Sequence, residues 1–169
     1  MTPQIITPEI IRYSNIFPVT DFIEIERMIT NRQWKIHFSM TDTENQFFNS
    51  LLTEEEIAWF SQRLSKYWQT YLDNPKYAGL KLNRAYINCH PAYHPGGWHT
   101  DAPYGFTALY YPFSFTDWKD EGGTEFADLG TVNYENNSLL LMPQNHLHRG
   151  AQHTQVGLFR FSIAFKFLA

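Results

Sequence analysis

Hydrophobic positions along this chain change their spacing near residue 80, and the change divides it into two parts. In the first part Ile57, Phe60, Leu64, Tyr67, Trp68 and Tyr71 recur at helical spacing, the pattern of a helix with one buried face. Thr53-Glu54-Glu55-Glu56 marks its start: Thr53 can cap, Glu56 can reach back, and the acids suit the helix dipole. Asp73-Asn74-Pro75 marks its end, because proline restricts the residue before it. A shorter helix is predicted after Pro18, with Asp21 and Glu24 as a capping pair, running to about Ile29. Trp34 to Phe38 reads as a short strand.

From residue 80 the period is two. The predicted strands are Leu80–Cys89, Phe106–Tyr111, Thr124–Phe126, Ser138–Met142 and Leu158–Phe167. Turn signals separate them, such as His94-Pro95-Gly96-Gly97, Glu121-Gly122-Gly123 and Asn136-Asn137. In the last strand Phe159, Phe161, Ile163, Phe165 and Phe167 share one face, and Arg160, Ser162, Ala164 and Lys166 share the other. Such a strand predicts a greasy exterior covered by helices and a small, polar interior kept open for a ligand. The expected fold is α+β: a double-stranded β-helix (jelly-roll, cupin-like) core over residues 80–167, with residues 1–79 as helical and strand support outside it. The 169 residues show no repeat or linker and fit one domain, 1–169.

Composition narrows the function classes. No apolar stretch approaches the roughly 20 residues of a membrane-spanning helix, so no membrane association is expected. The opening MTPQIITPEIIR lacks a basic n-region and an apolar h-region, so no signal peptide is expected. A single cysteine, Cys89, excludes an internal disulfide and any multi-cysteine metal site; a reducing, cytoplasmic setting is the default expectation. From Ala85 to His148 the only Lys or Arg is Lys119, against Asp101, Asp117, Asp120, Glu121, Glu125, Asp128 and Glu135, and the net charge is -4. With no basic stripe, a nucleic-acid partner is not expected. Aromatic residues make up 17%, which β-strands alone can explain. The histidines need a local account: of 7, all but His37 lie between residues 90 and 153.

Trp98-His99-Thr100-Asp101 supplies that account. On an extended strand His99 and Asp101 project to one face, where a nitrogen and a carboxylate oxygen can neighbour each other around a metal. His148, in Asn145-His146-Leu147-His148-Arg149-Gly150, is the candidate third ligand. Two histidines and a carboxylate form the facial set of non-haem Fe(II) oxygenases, with positions left open. An isolated His-x-Asp also fits a plain hydrogen bond on a strand. Arg160 lies twelve positions after His148 with Ser162 two further on, and a guanidinium fork there suits a carboxylate.

His99-x-Asp101, then Gly122-Gly123-Thr124-Glu125-Phe126, then His148-Arg149-Gly150, then Arg160-x-Ser162 together resemble the Fe(II)/2-oxoglutarate-dependent dioxygenases. The prolyl 4-hydroxylase-like branch is the nearest in pattern, over roughly residues 80–167. The resemblance implies that His99, Asp101 and His148 hold Fe(II), that 2-oxoglutarate chelates the metal, and that Arg160 takes its distal carboxylate. It implies O2 as the other co-substrate, ascorbate as reductant, and hydroxylation of a C–H bond with release of succinate and CO2. Tyr111 falls where hypoxia-sensing prolyl hydroxylases place a tyrosine on the distal carboxylate. Tyr86, Asn88 and Ser162 are further co-substrate candidates, and Tyr93 and Trp98 are candidates for the mouth. Procollagen-type enzymes carry Lys at the position of Arg160, and nucleic-acid demethylases carry a second Arg at the position of Lys166. His146 rivals His148, while His90, His94 and His153 read as loop or rim residues. The expected substrate is a prolyl residue in a peptide or protein, entering an acidic, aromatic-rimmed mouth; a free amino acid or other small metabolite is the alternative. From other classes, a zinc or manganese cupin-like enzyme and a non-catalytic cupin-like binding module use the same residues. Oligomeric state has no signature in the sequence.

Overall fold

The computed structural model describes residues 3–39, 42–112 and 121–169, with side chains at these positions outside 37–46. The strands are β1 (Gln4–Thr7), β2 (Ile10–Tyr13), β3 (Lys35–Ser39), β4 (Asp42–Leu51), β5 (Lys81–Pro91), β6 (Phe106–Tyr111), β7 (Thr124–Phe126), β8 (Gly130–Val132), β9 (Ser138–Pro143), β10 (His148–Gly150) and β11 (Phe159–Leu168). The helices are α1 (Val19–Thr30) and α2 (Glu54–Leu72). Eight strands form one antiparallel sheet in the order β1-β2-β9-β6-β11-β5-β4-β3, and β10-β7-β8 form a second.

The two sheets face each other. Leu109, Tyr111, Leu140, Met142 and Ala164 of the large sheet meet Phe126 and Val132 of the small one. The opposite face of the large sheet is covered by α2, whose stripe of Phe60, Leu64, Trp68 and Tyr71 packs on Phe106, Ile163, Phe165 and Phe167. Ring centroids there are 5.4 Å apart for Phe60–Phe165, 5.1 Å for Trp68–Phe167 and 5.0 Å for Tyr71–Phe106, in the range of favourable tilted pairs. Each fully buried ring of this layer stabilises the fold by about 1.5–3 kcal/mol in transfer terms. The predicted division of β11 holds along its second half, where Ile163, Phe165 and Phe167 lie under α2 while Arg160, Ser162, Ala164 and Lys166 line the interior; at its start Phe159 is exposed instead of covered.

Both arms of the capping box on α2 are present: Glu56 N–H donates to Thr53 Oγ1 at 3.2 Å and Thr53 N–H to Glu56 Oε2 at 2.8 Å. Thr53→Ala is therefore expected to cost about 1 kcal/mol, read as a lower urea midpoint at an unchanged m-value. The capping pair predicted for α1 is not formed. Pro18 occupies the cap without a side-chain bond and the helix begins at Val19, so Asp21 falls inside the first turn. There it pairs with Arg63 of α2, while Glu24 pairs with Arg27.

β1, β2, β4, β8 and β10 lie outside the predicted strands. β4 begins with the polar run Asp42-Thr43-Glu44-Asn45-Gln46, and its position comes from pairing with β5 rather than from its own pattern. No helix among the described residues is long and apolar enough to cross a membrane. Asp117, Lys119 and Asp120 lie outside the described residues.

Candidate metal centre

His148 opens β10, and His99 pairs with it through a single antiparallel bridge, with N–H to O distances of 3.0 Å in both directions. Asp101 lies in a bend, its N–H donating to Gln144 O at 2.8 Å. The extended strand expected through His99 and Asp101 is thus reduced to one bridged residue, because Gln144 draws the backbone at Asp101 away from β10. The ligand set survives this change: one donor atom from each of His99, Asp101 and His148 lies within 4.8 Å of the others. His146 is outside it, its Nε2 bonded to Asp128 at 2.7 Å.

The tautomers decide what the cluster can hold. His99 Nδ1 is 2.8 Å from Gly97 O and His148 Nδ1 is 2.7 Å from His146 O. A carbonyl only accepts, so each Nδ1 carries a hydrogen and each neutral ring presents an Nε2 lone pair. Both Nε2 atoms face Asp101, at 3.5 Å from Oδ1 and 3.7 Å from Oδ2. These separations exceed the normal hydrogen-bond range of about 2.7–3.2 Å, so a plain His–Asp hydrogen bond does not describe them. Two lone pairs and a carboxylate converging on one space are the donor set of a divalent cation. Burial holds the His148 ring down to about 4, so it is neutral near pH 7. The neighbouring Asp101 carboxylate raises His99. Burial alone would raise the Asp101 carboxyl, but the Lys166 ammonium and the two histidines overcome this and hold it well below the usual carboxylate range.

Lys166, on the inward face of β11, is buried and its ammonium contacts Asp101 Oδ2. Thr107 of β6 donates to the same oxygen at 2.8 Å. Oδ2 is thereby engaged and Oδ1 is left toward His99, which fixes how the carboxylate is presented.

Arg160 closes the other end. Its side chain is fully buried and held by carbonyls: Nε donates to Gly122 O and Nη2 to Gly123 O at 2.9 Å, with Ser162 Oγ 3.4 Å from Nη1. The Gly122-Gly123 pair makes this hold possible. Gly122 has φ +67°, and a Cβ at Gly123 would sit 2.0 Å from Val132 O. A Cβ at Gly150 would stand 3.3 Å from Arg160 Nη1, so that glycine lets β10 run beside the guanidinium. Two terminal N–H groups remain, and no carboxylate pairs with Arg160 among the described residues. A buried, uncompensated guanidinium calls for an anion. From His148 to Gly150 is two residues of strand, roughly 6.6 Å, the reach of a five-carbon dicarboxylate.

The other expected residues fall into place around this axis. Tyr111 is buried with its ring 5.6 Å from the Arg160 carbon and its hydroxyl 2.6 Å from Thr124 Oγ1. Asn88 lies directly across from Ser162 and accepts from Asn49 Nδ2 at 2.8 Å. Tyr86 is across from Ala164, nearer Lys166 than Arg160. His90 and His153 are not rim residues: both are buried, His90 on the inward face of β5 opposite Arg160 and stacked on Phe47 at 4.9 Å. Burial and the Arg160 charge hold His90 down to about 3, so it adds no competing charge. Their period-two phase with Asn88 and Tyr86 was the available signal for His90. Lys166 likewise shares the phase of Arg160.

A cavity of about 860 Å³ joins Arg160, the donor set and the outer ends of β3 to β5. Among the described residues its mouth does not form the acidic, aromatic rim expected; Asp117, Trp118 and Asp120 lie outside them. Tyr93 and Trp98 do not line it, and the charged groups there are Arg32, Lys35, Glu56 and Arg84. Four acids of the second half are engaged elsewhere: Glu121 with Thr154, Glu125 with Arg149, Asp128 with His146 and Glu135 with Arg12.

No protein-family model and no curated protein matches the sequence. Solved structures match the fold. A prolyl hydroxylase from Trichoplax adhaerens, in complex with a hypoxia inducible factor oxygen degradation domain peptide fragment, aligns with TM-score 0.72 at 15% identity, over 96% of this chain and 84% of that one. An oxidoreductase of the 2OG-Fe(II) oxygenase family from Burkholderia pseudomallei aligns with TM-score 0.72 at 13% identity, over 94% and 84%. The fold is that of the 2OG-Fe(II) oxygenases. HygX from Streptomyces hygroscopicus, with nickel, 2-oxoglutarate and hygromycin B bound, shares this oxygenase fold at TM-score 0.69 and 10% identity, over 94% and 82%. The α+β jelly-roll expectation therefore stands.

Proposed function

We propose that the protein is an Fe(II)- and 2-oxoglutarate-dependent dioxygenase that hydroxylates a C–H bond of a prolyl residue in a peptide, releasing succinate and CO2. One observation carries the reading: a buried guanidinium without a counter-ion stands at one end of a cavity whose other end is a two-histidine, one-carboxylate donor set. His99, Asp101 and His148 would hold the iron, and Arg160 with Ser162 and Tyr111 would hold the distal carboxylate of 2-oxoglutarate. When bound, the metal and 2-oxoglutarate supply activation of O2, with ascorbate keeping the iron reduced. The protein's part is positional. Carbonyls of Gly97 and His146 fix both imidazole tautomers, and Thr107 and Lys166 orient Asp101. Gly122 and Gly123 aim the guanidinium. The apolar layer of Leu109, Met142 and Phe126 keeps water from the space between the sheets.

The peptide bound to the Trichoplax adhaerens enzyme supports a peptide substrate, and the hygromycin B bound to HygX supports a small molecule as the second reading. The test is succinate release from 2-oxoglutarate with Fe(II), ascorbate and air. The expected result is slow turnover without substrate, accelerated by prolyl peptides. Absence of turnover, together with absence of metal-dependent 2-oxoglutarate binding under anoxia, would overturn the reading in favour of another metalloenzyme or a binding module.

A further inference from the structure

Charges lining the cavity are unevenly matched, and the mismatch bears on the substrate. Glu56 pairs with Arg32, and Asp101 pairs with Lys166. Arg160 is accounted for by the co-substrate. Lys35 and Arg84 remain, both exposed at the mouth and with no carboxylate partner among the described residues. The chain as a whole carries a net charge of -4, so this excess of cations is local.

Arg84 is the more telling of the two. It stands directly across the β5–β11 ladder from Lys166. Like charges in directly opposed positions destabilise a sheet unless an anion lies between them. Lys166 has its anion in Asp101; Arg84 has none among the described residues. The ladder is also irregular at this point: Lys166 opposes Arg84, but Phe167 opposes Leu82, so Asn83 is an extra residue. Such bulges bend a strand and re-aim side chains beside active sites. Between the two cations lies the ring of Tyr86, 5.5 Å from the Arg84 guanidinium carbon and 5.8 Å from Lys166 Nζ. Arg84 is thus poised over a flat ring at the cavity mouth, on the row that leads through Lys166 to Asp101.

We infer that the substrate carries a carboxylate that docks on Arg84 above Tyr86, beside the metal centre. A guanidinium fork over an aromatic ring fits the planar, bidentate geometry of that group. The carboxylate has two sources, an acidic side chain next to the target residue of a peptide or the carboxylate of a free small acid. The inference rests on the oxygenase reading and names its substrate class.

The experiment uses the full chain loaded with nickel(II) and 2-oxoglutarate, which holds the site without turnover. Calorimetry measures two arms of matched probes. One arm is capped tripeptides with central proline and Glu or Gln on either side. The other is L-proline and N-acetyl-L-proline against their primary amides. In at least one arm the acid is expected to bind about tenfold or more tighter than its amide, the size of one charge-assisted hydrogen bond. Arg84→Gln is expected to remove that difference and Arg84→Lys to keep most of it; the responding arm identifies the source. Equal affinity of acid and amide in both arms, no binding in either, or a preference that persists in Arg84→Gln overturns the inference. Substrate-free succinate release by the iron-loaded protein is measured on the same preparation. If it is absent and no metal-dependent 2-oxoglutarate binding is seen, the oxygenase reading fails; if 2-oxoglutarate binds or is turned over without the acid preference, the docking of a carboxylate on Arg84 fails alone.

Discussion

Asp101→Ala is expected to abolish divalent-metal binding and, separately, to destabilise the fold. The first effect follows from the donor set: without the carboxylate the two Nε2 lone pairs remain, and affinity for nickel or iron should fall by about 100-fold or more. The second follows from Lys166, which is buried and whose ammonium is left without its anion. Breaking a buried pair from one side costs about 3–5 kcal/mol, because the remaining charge is uncompensated. The two effects separate in the double variant Asp101→Ala/Lys166→Met, which should regain most of the stability and none of the metal affinity. Urea unfolding of the wild type, both single variants and the double variant gives the coupling energy directly. A single Asp101→Ala variant as stable as the wild type would show that Lys166 finds water when its partner is removed.

Arg160→Gln should raise the 2-oxoglutarate concentration needed for half-saturation by about 100-fold, within the range for removing one partner of a buried, hydrogen-bonded charge pair. Metal affinity measured without 2-oxoglutarate should change little, since Arg160 contacts Gly122, Gly123 and Ser162 and none of the metal-ligand candidates. Arg160→Lys keeps the charge but not the fork that spans the two glycine carbonyls, so it should recover only part of the affinity. Anaerobic titration of the metal-loaded variants with 2-oxoglutarate measures this. Equal 2-oxoglutarate affinity in Arg160→Gln and the wild type would remove Arg160 from the co-substrate site and with it the main support for the oxygenase reading.

Local signals read well where one element decides its own structure. Thr53 and Glu56 form their capping box because both partners lie within one turn. The stripe from Phe60 to Tyr71 is buried as its spacing requires. On β11 the alternation is strong enough to separate the face under α2 from the face lining the cavity. Signals weakened where another residue competed for the backbone. Pro18 displaced the cap expected at Asp21, and Gln144 replaced a regular strand at Asp101 with a bend. For β4 the polar sequence carried no strand pattern, since its place depends on hydrogen bonds to β5, far along the chain.

From sequence alone came the period-two second half, the two faces of β11, and the His99, Asp101, His148 and Arg160 set in its chain order. These are properties of residue type and spacing, which pleat and side-chain chemistry translate directly. Only the tertiary structure decided which lone pairs face Asp101, that Lys166 shares its carboxylate, and that Gly122 and Gly123 aim Arg160. It also set cations at the mouth among the described residues. Glu121, Glu125, Asp128 and Glu135 are engaged away from the cavity, while Arg32 and Lys35, close together in sequence, meet the distant Arg84 at its edge. Charge along a chain is a one-dimensional average; the field at a cavity depends on which strands the fold sets side by side.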